Sequence, residues 1–277
     1  MKNILITGTS SGIGRCTAIL LAKNGFKVFA GVRTEKDYNY LNSEHENITP
    51  IYIDVLKKDS LEKAYVELLE KNIELSAIIN NAGAVVAQPI ECINIDDLKY
   101  QFELNTIAPV AVAQTFLPLI KEGKIINISS MASSGIFPYI APYCASKRAL
   151  DILFNSFEIE MKNKNIKVVS IKPGSIRTPI WNKSIDANKK QLENLPQHFK
   201  SKYEKDLIFL AQHAEKNNYK ATSPEKVAQC ILKVVNSDKP KCSYCVGFDS
   251  AVACLIGQFP QGLLNRIIKY QLKKKIS

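Results

Sequence analysis

The sequence offers a metal ion very little. Its three histidines, His45, His198 and His213, stand far apart and outside every motif described below. Cys242 and Cys245 form a C-x-x-C pair, but a zinc site ordinarily needs a second ligand pair. Neither another C-x-x-C nor a close histidine pair occurs. The expectation is two ordinary thiols on or beside a strand, and no metal centre. Gly/Ser linkers, internal repeats and abrupt shifts of composition are also missing, so the 277 residues read as one domain with at most an appendage. The opening apolar run meets glycines too soon for a secretory h-region, and the seven cysteines are an odd number. Reduced thiols in a cytoplasmic protein are expected.

Negative charge is in short supply. Asp and Glu number 26 against 37 Lys and Arg, for a formal net charge of +11. That balance favours anionic partners in general. The lysines are scattered, however, and no element concentrates them beside a recognisable nucleic-acid motif, so nucleic acid is not an expected partner.

What is present is an alternation. Residues 3–7, 27–32, 48–55, 75–83, 123–130, 166–174 and 242–248 read as short strands, apolar almost throughout. Between them 15–25, 59–72, 95–120, 142–165 and 223–237 have helical spacing. Asp59–Ser60 is the expected cap of the second helix, and Ser223 with Pro224 opens the last. Pro109 is the expected kink of the long helix 95–120. Apolar strands alternating with helices imply an α/β fold: a Rossmann-like, doubly wound parallel sheet covered on both faces. Residues 179–222 are too long for an ordinary connection and stand where a substrate loop would.

Two stretches carry chemistry. "TGTSSGIG" at 7–14 follows a strand and opens a helix; Gly8, Gly12 and Gly14 let backbone approach a pyrophosphate that the helix N-terminus favours. At the end of the second strand Arg33 offers a planar cation to a 2′-phosphate where an NAD enzyme would place an acid. NADP(H) is therefore expected, with Glu35 keeping NAD(H) open. The second stretch is "APYCASKRAL" at 141–150. Tyr143 and Lys147 share a helix face at i, i+4 spacing, and a nearby ammonium favours the phenolate. Ser129 and Ser130 end the preceding strand, at the sheet edge where ligands of such folds bind.

With "NNAG" at 80–83, "LN" at 104–105, "NISS" at 127–130 and "PGSIRT" at 173–178, these motifs make the chain resemble the single-domain short-chain dehydrogenase/reductase family. Residues 27–37 resemble its hydroxysteroid- and retinol-dehydrogenase-like members. The resemblance implies NAD(P)-dependent hydride transfer between nicotinamide and a carbonyl or secondary alcohol, here with a lipophilic substrate. It implies a catalytic set of Asn105, which kinks its helix and holds a relay water; Ser130, which orients the substrate oxygen; Tyr143, the acid or base; and Lys147, which lowers the tyrosine pKa and binds the nicotinamide ribose. It implies cofactor contacts from Gly8, Ser10, Ser11, Gly12, Ile13, Gly14, Arg33, Asp54, Val55, Asn81, Ala82 and Gly83. Tyr143, Lys147, Pro173, Gly174, Ile176 and Thr178 complete that set. One departure bears on NADP: some NADP-preferring relatives carry a base within the glycine turn, where Thr9, Ser10 and Ser11 stand here.

Residues 1–250 are thus expected to be the catalytic domain, and 251–277 an apolar and basic extension. A helix from Gln261 would place Leu264, Ile267, Ile268 and Leu272 on one face. It would cover the substrate cleft or pack on a partner subunit, with peripheral membrane contact as the alternative. The resemblance also implies a homodimer or homotetramer through helices near 97–120 and 143–162. Trp181, Phe199 and Tyr203 are candidate pocket residues. A rival reading is a non-catalytic NADP sensor on the same fold.

Overall fold

The computed structural model of the chain describes residues 1–178 and 196–276. Seven strands, β1 (Asn3–Ile6), β2 (Lys27–Val32), β3 (Ile48–Tyr52), β4 (Leu75–Asn80), β5 (Gly123–Ile128), β6 (Ile166–Pro173) and β7 (Ser243–Val246), form one sheet. All pair in parallel, in the order β3-β2-β1-β4-β5-β6-β7. The chain winds outward from β1 to β3, then returns to the other side of β1 and winds the opposite way. The carboxyl ends of β1 and β4 therefore diverge at a switch point, where a parallel sheet opens a crevice.

Both faces of the sheet are covered, and side chains alternate between them as strand geometry requires. Ile4, Ile6, Val28, Ala30, Ile79 and Val169 pack against α1 (Gly12–Lys23), α2 (Glu35–Glu44) and α8 (Pro224–Asn236). Leu5, Phe29, Ile78, Ile125 and Val168 pack against α3 (Lys58–Glu70), α5 (Ala108–Phe116) and α6 (Ala141–Glu160). Burying a Leu or Ile of this kind contributes about 1.5–3 kcal/mol, and the two layers supply most of the core. The remaining helices are α4 (Ile95–Phe102), α7 (Gln197–Lys220), α9 (Phe248–Ile256) and α10 (Gln261–Ile276).

The strands match the sequence reading; several helices do not. The segment 95–120 is not one helix. α4 runs into a π-helical turn at Glu103–Ile107, which holds Asn105, before α5 begins with Pro109 in its first turn. Asp59–Ser60 is not the cap of α3: Lys57 takes that position, and Ser60 Oγ instead accepts the Asp54 N–H at 2.9 Å. α2 was not anticipated at all. Within 179–222, residues 197–220 are helical. The boundary set at 250 falls inside α9, and the expected single apolar face from Gln261 is split: Leu264 is buried while Ile267 is exposed.

Candidate active site

A cleft of about 680 Å³ lies over the carboxyl ends of β1, β4 and β5. Its size is that of a small-molecule or cofactor site. Gly8, Ser10, Ser11, Gly12 and Ile13 line one end, Ser130, Tyr143 and Lys147 the other. Arg33, Val55, Asn81, Ala82, Gly83, Pro173, Gly174, Ile176 and Thr178 also line it.

The glycine turn is built for close approach. Gly8 and Gly12 have positive φ, +68° and +56°, and a Cβ on Gly8 would lie 2.8 Å from Ala82 Cα. Thr7 and Asn81 stitch the two strand ends together. Thr7 Oγ1 accepts the N–H groups of Asn81 and Ala82, each at 3.1 Å, and Asn81 Nδ2 donates to the carbonyls of Thr7 and Gly8. Ser11 precedes α1 in an extended conformation and makes no side-chain cap. The first N–H groups of α1 are thus left to face the cleft, a ready anion site. These residues fit a dinucleotide pyrophosphate. Gly14 does not line the cleft: its missing Cβ makes room for Gly8 O and Asn81 Nδ2, each 2.4 Å from where that Cβ would stand.

At the far end of β2 the cleft is bordered by Arg33, Thr34 and Asp37. Thr34 caps α2, accepting the Asp37 N–H and donating its hydroxyl to the Asp37 carboxylate at 2.7 Å. Arg15 pairs with the same carboxylate at 3.7 Å and stacks on the Tyr40 ring. Arg33 is exposed and lines the same rim. Arg15, Thr34 and Asp37 escaped sequence reasoning; the signal was the T-x-x-D capping pattern just after the strand. Asp54 lies outside the lining. Its carboxylate accepts the Leu56 N–H at 3.2 Å and stands 3.8 Å from Lys57 Nζ.

At the other end, α6 carries Tyr143 and Lys147 on the face toward β5, both nearly fully buried. Lys147 Nζ donates to Ile128 O at 2.8 Å and lies 6.0 Å from the Tyr143 ring centroid. Ser130 opens a 3₁₀ turn, Met131–Ser134, by accepting the Ala132 N–H at 3.1 Å, and both Ser130 and Tyr143 line the same end of the cleft. Burial pushes Tyr143 up to about 12, with the Ser130 hydroxyl acting in the opposite direction. The expected acidification by Lys147 is not among the influences on the phenol: loss of water around it sets the direction. Burial likewise lowers Lys147 to about 8, against the charge of Asp151. A protonated phenol beside a cleft is a proton donor. Ser129 Oγ is buried and has no partner among the described residues.

Asn105 is fully buried and does not line the cleft. The π turn aims its amide at Ala84 and at Ser146 Oγ, 3.2 Å away on α6. Beyond Pro173, the turn Gly174–Ser175 is held by Asp249 of α9, whose carboxylate accepts the Ser175 N–H at 2.6 Å. A Cβ on Gly174 would overlap that carboxylate at 2.0 Å. Sequence reasoning missed Asp249. It also missed the apolar wall around Tyr143, made by Val85, Ala132, Phe137 and Ile140. Trp181 lies outside the described residues, and Phe199 and Tyr203 are not part of the cleft: Tyr203 donates its hydroxyl to Glu91. Among the described residues no cluster of His, Cys, Asp or Glu could hold a metal, and no helix is long and apolar enough to cross a membrane.

Known proteins are similar to this chain in sequence. Residues 2–190 match the family model described as short chain dehydrogenase. The chain is 34% identical over 254 residues to the 3-amino-tetrahydro-pyrrolizinone reductase of Xenorhabdus hominickii, covering 90% of this chain and 88% of that one. It is 33% identical over 195 residues to the NADPH-dependent 3-dehydrocapnine reductase of Ornithobacterium rhinotracheale, covering 66% and 69%. Human retinol dehydrogenase 5 is 27% identical over 293 residues, covering 98% and 89%.

Proposed function

The chain belongs to the short chain dehydrogenase family, and from that premise we propose that it interconverts an apolar ketone or aldehyde and its alcohol with a preference for NADP(H) over NAD(H). As a family member it is an NAD(P)-dependent oxidoreductase acting on CH–OH groups. The proposal lies in the substrate, the choice of cofactor and the residue roles.

The single observation that carries it is the convergence of Ser130, Tyr143 and Lys147 on one apolar-walled end of a cleft whose other end is a glycine turn and an uncapped helix N-terminus. The bound cofactor supplies or takes up the hydride. The backbone around Gly8–Ile13 holds its phosphates, Arg33 the 2′-phosphate, and Ile53 and Val55 the adenine side. Asn81–Gly83, Pro173, Gly174, Ile176 and Thr178 border the nicotinamide end. Lys147 has three N–H donors and gives one to Ile128 O, leaving two for ribose hydroxyls and the phenol oxygen. Ser130 Oγ holds the substrate oxygen in line with Tyr143, and Tyr143 delivers its proton to that oxygen as a carbonyl is reduced, or accepts it as an alcohol is oxidised. Asn105 acts through Ala84 and Ser146 as a positioning residue.

NADP(H) is favoured because the acid at the rim is already engaged. Asp37 is paired with Arg15 and Thr34, which leaves the Arg33 cation to meet the ribose substituent. The NADPH-dependent relative is consistent with this. An apolar substrate is favoured because Val85, Phe137 and Ile140 surround the tyrosine. The C-terminal helices carry exposed Phe248, Leu255, Leu263, Ile267 and Tyr270, and the turn between them exposes Phe259, which together suit either a partner subunit or the surface of an anionic membrane beside Arg266 and Lys269. The test is a panel of aliphatic, cyclic and steroid- or retinoid-like ketones and alcohols run in parallel with NADPH and NADH, followed by nicotinamide absorbance. Turnover of apolar members with NADPH supports the reading. Tight cofactor binding with no turnover across the panel would favour a sensor instead.

A further inference from the structure

Outside the cleft the structure brings two thiols together. Cys245 lies on the edge strand β7 and Cys254 on α9, and the turn at Gly247, with φ +105°, folds one element back on the other. Their sulfurs are 2.7 Å apart. That is well inside van der Waals contact and approaches a disulfide bond of about 2.05 Å. Cys245 is exposed and Cys254 partly so, which leaves the pair open to small reagents. No other two of the seven cysteines are hydrogen-bonded to each other among the described residues, and Cys242, the C-x-x-C partner in sequence, is not bonded to Cys245.

We propose that Cys245 and Cys254 form a reversible dithiol–disulfide site, oxidised by small disulfides of the glutathione class. The Cys245 thiolate attacks one sulfur of oxidised glutathione, forming a mixed disulfide and expelling one glutathione thiolate, which takes up a proton. The Cys254 thiolate then attacks Cys245 Sγ and expels the second glutathione. Two protein thiols lose two electrons and two protons; one glutathione disulfide becomes two thiols. A low-molecular-weight dithiol reverses both steps.

The bond would act on the cleft from behind. α9 carries Asp249, which holds the turn after β6, and Ser134 Oγ donates to Cys254 Sγ at 3.6 Å from the turn that Ser130 opens. Gly257 follows α9 and sits so close to Ser134 that a Cβ there would lie 1.8 Å from Ser134 O. A Cys245–Cys254 bridge therefore staples to the sheet edge the helix that supports both turns.

The test uses the full chain with oxidised glutathione, acid quenching, denaturation and alkylation with N-ethylmaleimide. By intact mass, alkylation should fall by two from the seven thiols. Peptide mapping should join Cys245 to Cys254, and dithiothreitol should restore all seven. The oxidised protein should melt about 5 °C higher, as a short bridged loop in a chain of this size predicts. Cys245→Ser and Cys254→Ser should each lose both the bridge and the shift. Seven alkylated thiols after oxidation, a bridge to Cys242, a mixed glutathione disulfide that does not resolve, or a bridge without a rise in melting temperature would each overturn the proposal. None of these readouts depends on the cofactor or substrate, so they stand apart from the fate of the catalytic reading.

Discussion

The Asn105 amide holds both backbone groups of Ala84: Oδ1 accepts its N–H at 3.0 Å and Nδ2 donates to its carbonyl at 2.9 Å. The third bond, to Ser146, reaches the residue before Lys147. One buried side chain thus fixes the distance between the wall of the cleft and the helix that bears Tyr143. Asn105→Leu should destabilise the fold by ~1–3 kcal/mol, because it leaves the Ala84 N–H without its acceptor, although the Ala84 carbonyl keeps its bond from Gln101 Nε2 at 2.9 Å. Displacing α6 should also lower kcat by about 100-fold. Cofactor affinity, read by quenching of protein fluorescence, should change far less than kcat; equal losses in both would assign Asn105 a cofactor contact instead.

Gly14 is a packing glycine, not a ligand-facing one. Gly14→Ala places a Cβ 2.4 Å from a backbone carbonyl, where neither the carbonyl nor the turn can yield cheaply. The expected result is a loss of about 2–3 kcal/mol in chemical denaturation, with weakened cofactor binding because Gly8 itself is displaced.

Lys147 is a charge held out of water for function at the expense of stability. Its pKa falls from 10.5 to about 8, so between those values the unfolded chain binds more protons than the folded one, and wild-type stability rises with pH across that window. Below pH 8 the penalty is fully present, ~3 kcal/mol from the shift alone. Lys147→Met removes the penalty but also the bond to Ile128 O, worth ~1 kcal/mol. The variant should therefore be more stable than wild type by ~1–2 kcal/mol at pH 7, with the gap closing toward pH 10.5, while turnover is lost. Urea titrations at pH 7 and pH 10 decide it; a gap that widens with pH would refute the assignment.

Arg33 should separate the two cofactors. Arg33→Ala is expected to weaken NADPH binding about 10- to 100-fold, the scale of a charge-assisted contact, and to leave NADH within about twofold. Equal effects on both would make Arg33 a solvated strand-end charge and remove the basis for NADP(H) preference.

The sheet was legible because all seven strands are short apolar runs between turns, and burial on both faces leaves that pattern intact. α2 was not, because only Leu41 of its ten residues is buried, so its sequence lacks the apolar period that marks a helix. The break in 95–120 was hidden for the opposite reason: a π turn adds one residue per turn without changing composition, and Leu104, Asn105 and Thr106 are all buried within it. The glycine turn, Ser130, Tyr143 and Lys147 could be named from their motifs. Their surroundings could not, since Asp249, Val85 and Phe137 reach the site only through tertiary folding. The pair Cys245–Cys254 was masked by the more conspicuous C-x-x-C.

The central claim is that Tyr143 moves the proton while the rest of the cleft holds the cofactor, and Tyr143→Phe tests it most directly. With a substrate found in the panel, single-turnover nicotinamide absorbance should show the rate fall by about 1000-fold or more, as loss of a positioned general acid does, while NADPH affinity measured by fluorescence stays within about threefold. A variant that binds NADPH normally and turns over at the wild-type rate would contradict the account.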